Sequence, residues 1–156
     1  MAETTNQTIS KEAIWTVVPE FKKDFIIEYA DTDKMGVLHN SRYGRLLEST
    51  LSSWLRSWGS SLSQLENYGL CLPVREKRIK YLLPIRLEDR VSVLMRMQIR
   101  RGSALVLIRY DILRDARRIA HAKVSHVLCK YRRDDTTGGT RLVPIPAEWL
   151  LSLQNQ

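Results

Sequence analysis

Two carboxylates, Asp31 and Asp33, flank a single threonine, and Gly36 follows three residues after the second. The segment DTDKMG is built from residues that favour a loop. It follows FKKDFIIEYA, whose apolar and β-branched content predicts a strand from Phe21. Within ten residues of Asp33 a helical apolar pattern begins. This layout can point a carboxylate and a helix N-terminus at one spot. An ionised carboxylate is a base or a nucleophile, and the unpaired amides of a helix start favour negative charge. Asp31 is expected to stabilise the loop through backbone hydrogen bonds, as Asp does before turns. Gly36 permits a tight turn and close backbone approach.

The helix that must hold this site spans about Ser41 to Trp58. Tyr43, Leu46, Leu47, Leu51, Trp54, Leu55 and Trp58 recur at steps of three and four, which buries one broad face, and Gly59 is a suitable stop. Glu48 falls beside Leu47 and Leu51 at the edge of this stripe, which predicts partial burial and an altered pKa. A short helical connector is expected over Ser61 to Tyr68, with Ser61 as N-cap and Gly69 as breaker. Four extended stretches follow, CLPVREKRIKYLLP, RVSVLMRMQIRRG, SALVLIRYDILRD and RIAHAKVSHVLCKYRR, separated by Pro84, Gly102 and a turn at Asp115–Arg118. They are expected to form an antiparallel meander. TTGGTR is expected as a flexible turn and PAEWLLSLQ as a last helical turn or helix. Strand, long helix, then strands predicts an α+β fold with the helix laid on one sheet face.

The 156 residues suffice for one domain. Residues 1–18 are expected to be a loose, flexible N-terminal arm, partly tacked down by Ile14, Trp15, Val17 and Val18, and residues 19–156 to be the single domain. Cys71 and Cys129 show no metal-ligand spacing and are too few for a disulfide framework, so no metal and a reducing cytoplasm are expected. The polar, acidic N-terminus is unlike a signal peptide, and no apolar run approaches the ~20 residues that span a bilayer, so no membrane association is expected. The net charge of +8 admits a nucleic-acid binder, a membrane-surface protein or an enzyme for a polyanionic substrate. Basic residues are interspersed with acidic ones and carry no recognition signature, so no nucleic acid is expected. His121 and His126, five apart in a strand-like stretch and on opposite faces, are expected to be structural.

The segment IEYADTDKMGVLHNSRYGRLLE resembles the active-site segment of the 4-hydroxybenzoyl-CoA thioesterase group of hotdog enzymes, with Asp31, Asp33, Gly36, Val37, Tyr43 and Glu48 at matching positions. LPVREKRIKYLLPIRLEDRVSV and RRGSALVLIRYDI extend the likeness over roughly residues 21 to 147. The resemblance implies a hotdog fold, an antiparallel five-stranded sheet wrapped around a long central helix. It implies an acyl-CoA thioesterase without cofactor, acting on an aromatic or a short- or medium-chain acyl group. Asp33 would be nucleophile or general base and the Asn40 amide the oxyanion donor.

A second branch of the same enzymes carries its acid on the helix, which makes Glu48 the rival carboxylate. This chain has His39-Asn40 where many relatives have Tyr-His, so the usual His is absent or displaced by one position, and His39 is a candidate for orienting substrate or water. Substrate contact is expected at Tyr43, and at Arg75 and Arg101 for the CoA phosphates. A homodimer or homotetramer is implied as well. Alternatives are an acyl carrier protein as the thioester donor and a noncatalytic acyl-CoA-binding module.

Overall fold

In the computed structural model, residues 15–130, 140–147 and 149 are described. Strand β1 (Trp15–Ile26) leads through a single helical turn at Tyr29–Asp31 to helix α1 (Asn40–Ser57) and the short helix α2 (Leu62–Asn67). Strands β2 (Leu70–Cys71), β3 (Val74–Tyr81), β4 (Arg90–Arg100), β5 (Leu105–Arg114), β6 (Arg117–Val127), β7 (Cys129–Lys130) and β8 (Arg141–Leu142) follow. The large sheet is antiparallel with the order β1-β4-β5-β6-β3, and β2, β7 and β8 form a small second sheet. The helix lies on one face of the five-stranded sheet. This is the hotdog architecture.

Alternation along the strands sets which face is covered. Val91, Val93, Met95, Met97 and Ile99 of β4, and Val106, Ile108, Tyr110 and Ile112 of β5, are all buried. They join Tyr43, Leu46, Leu47, Leu51 and Trp54 of α1 in one core. Every second residue on the sheet and every third or fourth on the helix meet there, so both periodicities in the sequence serve one layer interface. Leu47 is 3% exposed, and its truncation to Ala would cost about 2–5 kcal/mol.

Two expectations change. Strand β1 begins at Trp15, so Trp15–Val18 belong to the sheet rather than to an arm, with Thr16 and Val18 buried; residues 1–14 lie outside the described residues. The register of β1 on β4 slips between Val18 and Phe21, beside Pro19, which has no N–H to give a ladder and hides the strand pattern in the sequence. The four later strands are not a simple meander. Only β4, β5 and β6 are sequential neighbours, while β3 crosses over to pair with β6 at the sheet edge. TTGGTR lies largely outside the described residues, as does most of PAEWLLSLQ. The Asp115–Ala116 turn has positive φ at both residues, 50° and 60°, the twist that suits a tight hairpin.

Candidate functional site

The end of β1 and the start of α1 are joined by a loop that folds back on itself. Thr32 and Leu38 form a bridge, the Asp33 amide donates to Val37 O at 2.9 Å, and the Gly36 amide donates to Asp33 O at 2.9 Å. Gly36 sits at φ 70°, the left-handed conformation that closes this turn. Leu38 N donates to Ile85 O at 2.7 Å, which ties the loop to the approach to β4. The Asp33 carboxylate takes part in its own turn, since Oδ1 accepts from Met35 N at 2.8 Å and from Val37 N at 3.4 Å. These bonds hold the rotamer of a half-buried carboxylate, and Oδ2 has no hydrogen-bond partner among the described residues.

The loop-stabilising hydrogen bonds expected of Asp31 are made by Asp33, whose side chain accepts backbone amides. Asp31 is 2% exposed, with Arg45 Nη2 at 3.4 Å from Oδ2 and Arg42 Nε at 3.9 Å from Oδ1. The second distance is too long for a hydrogen bond, and Oδ1 is a buried acceptor without one. Asp31 thus anchors the first turns of α1 electrostatically, and its backbone carbonyl accepts His39 N at 2.9 Å.

Helix α1 opens with His39 as its N-cap. The ring Nδ1 accepts from Ser41 N at 3.3 Å and lies 2.8 Å from Ser41 Oγ, the role usually filled by Ser, Thr, Asp or Asn. His39 is exposed and lines the site while capping the helix. Asn40, the first residue of the helix, has an amide with no intrahelical acceptor and no other partner among the described residues.

Asp33, Leu38, His39, Asn40, Tyr43 and Tyr81 enclose a cavity of about 250 Å³. Tyr43 is buried and meets Tyr81 edge to face, centroids 4.7 Å apart; burial, and then Tyr81, push its hydroxyl up from the ordinary tyrosine value. A neighbouring cavity of about 360 Å³ shares Asn40 and Tyr81 and adds Lys77. Lys77 Nζ lies 3.0 Å from where a Cβ on Gly44 would stand, so the glycine lets the ammonium lie against the helix. Nothing in the sequence marks Tyr81 as a site residue, whereas Lys77 is one of several basic strand residues it offers for phosphates. Both sit on a strand exposed almost throughout, whose pattern marks no inward face.

The remaining candidates lie elsewhere. Glu48 is exposed in the single chain rather than part-buried, because it turns off the core stripe that Leu47 and Leu51 continue. It stands about 12 Å along α1 from Asn40, beside a small space lined also by Lys77, Tyr110 and His126. Burial, and then the Glu48 charge, push the Tyr110 hydroxyl up, while burial pushes His126 down. His126 is a buried strand residue bonded through Nδ1 to Leu72 O at 3.0 Å. Arg75 lies exposed at an irregularity of β3 outside both cavities. Arg101 bonds Thr16 Oγ1 at 3.1 Å in the β4–β5 turn, the opposite end of β1 from Asp33. One chain therefore brings Asp33, Gly36, His39, Asn40 and Tyr43 together, and leaves Glu48, Arg75 and Arg101 apart from them.

A family model described as thioesterase-like superfamily matches residues 27–153. The chain belongs to the thioesterase-like superfamily. It is 23% identical to a putative esterase of Aquifex aeolicus over 129 residues, 83% of this chain and 94% of that protein. Among solved structures it is similar to a hypothetical protein of Thermus thermophilus, with 27% identity and TM-score 0.72 over 86% of this chain and 97% of the other. It has the fold of a 1,4-dihydroxy-2-naphthoyl-CoA thioesterase from Synechocystis, at 24% identity and TM-score 0.71, covering 88% and 97% of the two chains. Among the described residues no helix is long and apolar enough to cross a membrane, and no three His, Cys, Asp or Glu side chains converge as a metal site would require.

Proposed function

We propose that this protein hydrolyses the thioester of an acyl-CoA, with Asp33 as the reacting carboxylate and the Asn40 amide as the oxyanion donor. The observation that carries this reading is the shared cavity. An ionised carboxylate with one oxygen fixed by its own turn and the first free amide of an 18-residue helix line the same 250 Å³. A thioester carbonyl seated there would meet a nucleophile on one side and a preorganised donor on the other. In one route Asp33 attacks the carbonyl carbon, the thiolate leaves, and water hydrolyses the acyl-aspartyl anhydride. In the other, Asp33 takes a proton from the attacking water. Both give a carboxylic acid and a free thiol. Tyr43 and Tyr81 supply an aromatic wall for the acyl group, and Lys77 a cation near the mouth, suited to the substrate's phosphates.

The site is also proposed to be completed by a second copy of the chain. Strand β3 lies at the sheet edge with seven of its eight residues exposed, and Lys77, Ile79 and Tyr81 on one of its faces line the cavities. Arg75, on the same strand, or Arg101 would reach CoA phosphates only from such an assembly. Light scattering at micromolar concentration is expected to give a dimer or tetramer.

The test is a thioester panel followed by free-thiol release. It covers hydroxybenzoyl, hydroxynaphthoyl, and short- and medium-chain acyl groups, each on CoA and on acyl carrier protein. Turnover of CoA thioesters is expected. Turnover only on the carrier would replace the substrate, and binding without thiol release would make this a noncatalytic module.

A further inference from the structure

The sequence separates Cys71 and Cys129 by 58 positions, and the fold brings them face to face. Cys71 is half of the two-residue strand β2, Cys129 half of β7, and the two are directly opposed partners in that antiparallel pair. Both are free thiols on directly opposed residues of that pair. Directly opposed residues of antiparallel strands have Cα atoms about 4.5 or 5.5 Å apart. A disulfide spans Cα separations of about 4.4–6.8 Å. Either kind of pair therefore lies within disulfide range by Cα separation, and a small local adjustment brings the Cβ atoms, about 4.5–5.5 Å apart in such pairs, to bonding distance.

We infer that Cys71 and Cys129 form a reversible redox-modification site, closing an intramolecular disulfide when the folded protein meets a hydroperoxide. Cys71, the more exposed of the two, attacks the peroxide oxygen as the thiolate, becomes a sulfenic acid and releases water or an alcohol. Cys129, 6% exposed, is the opposed partner across the strand pair; its sulfur attacks the sulfenic sulfur and releases water. One peroxide is reduced by two electrons as two thiols become one disulfide. Burial pushes the Cys71 thiol up, helped by Cys129 and Glu66, so the thiolate is scarce at neutral pH. The pair therefore responds to sustained exposure rather than to a brief pulse.

The bond would act on a defined part of the fold. Leu72 follows Cys71, Leu128 precedes Cys129, and both line an apolar cavity of about 310 Å³ at the C-terminal end of α1, together with Trp54, Trp58 and Trp149. Closing the disulfide ties the α2–β2 segment, one wall of that cavity, covalently to β7, which follows directly on β6. This inference does not depend on the hydrolase reading.

The experiment treats the folded protein with hydrogen peroxide and counts thiols, with peptide mapping and thermal unfolding in parallel. The thiol count should fall from two to none, the mass should drop by two hydrogens, and a peptide carrying Cys71 should be joined to one carrying Cys129. The oxidised form should melt several degrees higher, and dithiothreitol should reverse all of these changes. Cys71→Ser should fold, show no crosslink, and lose the shift on oxidation. Two free thiols persisting in folded, peroxide-treated protein would overturn the inference, as would bonds found only between chains.

Discussion

Replacing Asp33 with Asn separates the chemistry of this residue from its part in the loop. The amide oxygen of Asn can still accept from Met35 N, a bond of 2.8 Å, so the turn at Asp33–Gly36 should persist. Exchanging a charged acceptor for a neutral one should cost about 1 kcal/mol of stability at most. Activity should respond far more strongly, because an amide neither attacks a carbonyl nor takes a proton from water. Turnover should fall by about two to four orders of magnitude, which is roughly 3–5 kcal/mol of transition-state stabilisation.

The assay is thiol release with kcat and KM resolved, alongside thermal unfolding of each variant. KM should stay near the wild-type value, since the charge acts mainly in the transition state. Asp33→Ala should match Asn in lost activity and lose about 1 kcal/mol more stability, because Met35 N loses its acceptor. Glu48→Gln, away from the cavity, should cost less than either. Wild-type turnover in Asp33→Asn together with a dead Glu48→Gln would refute the assignment and move the chemistry to the space shared by Glu48, Lys77, Tyr110 and His126.

Three further outcomes follow from the packing. Gly44→Ala should leave stability unchanged or raise it by about 0.5–1 kcal/mol, as a glycine in a helix interior gives way and only the flexible end of Lys77 must move; denaturant midpoints measure this. Asp31→Ala should cost about 1–2 kcal/mol by thermal unfolding, less than a fully buried ion pair, because Arg42 and Arg45 are half exposed and can turn to water. Burial holds His126 below its ordinary 6.5, so the unfolded chain takes up a proton first as pH falls. Its contribution to stability should be complete above about pH 6.5 and be lost below it towards the folded value. His126→Gln should flatten that part of the stability profile between pH 7 and 5.

Local order proved easy to find in the chain. The apolar residues from Tyr43 to Trp54 announce α1 because a helix must show its core face every three or four residues, and the observed Asn40–Ser57 is displaced by one residue from the expected span. The loop from Asp31 to Gly36 declared itself through residue types that stabilise turns, and the candidate site was found with it. What stayed hidden depends on partners distant in sequence. Nothing in the alternation of Val74–Tyr81 says that its neighbour is β6 rather than β4, and hence that Tyr81 and Lys77 reach the site. Cys71 and Cys129 look unrelated until two short strands pair them. His39 escaped notice as an N-cap because its ring does what a smaller side chain usually does. Glu48 misled because it stands at the rim of the stripe, beside buried Leu47 and Leu51, yet stays exposed itself.

The sheet order also sets when the site can come into being. Strands β4, β5 and β6 are joined by short turns and can zip together from local contacts, whereas Phe25 of β1 finds its partner in Val91, far along the chain. Loop-closure entropy makes such distant pairing late and slow. The loop bearing Asp33 hangs from the end of that late strand and leans on Ile85 and Arg86, just ahead of β4. During synthesis, the first of the residues proposed to react leaves the ribosome early, yet it has nothing to dock against until β4 has emerged. A folding intermediate holding β4, β5 and β6 alone would therefore have much of its sheet and no reactive centre, and activity should appear with the closing of the first strand.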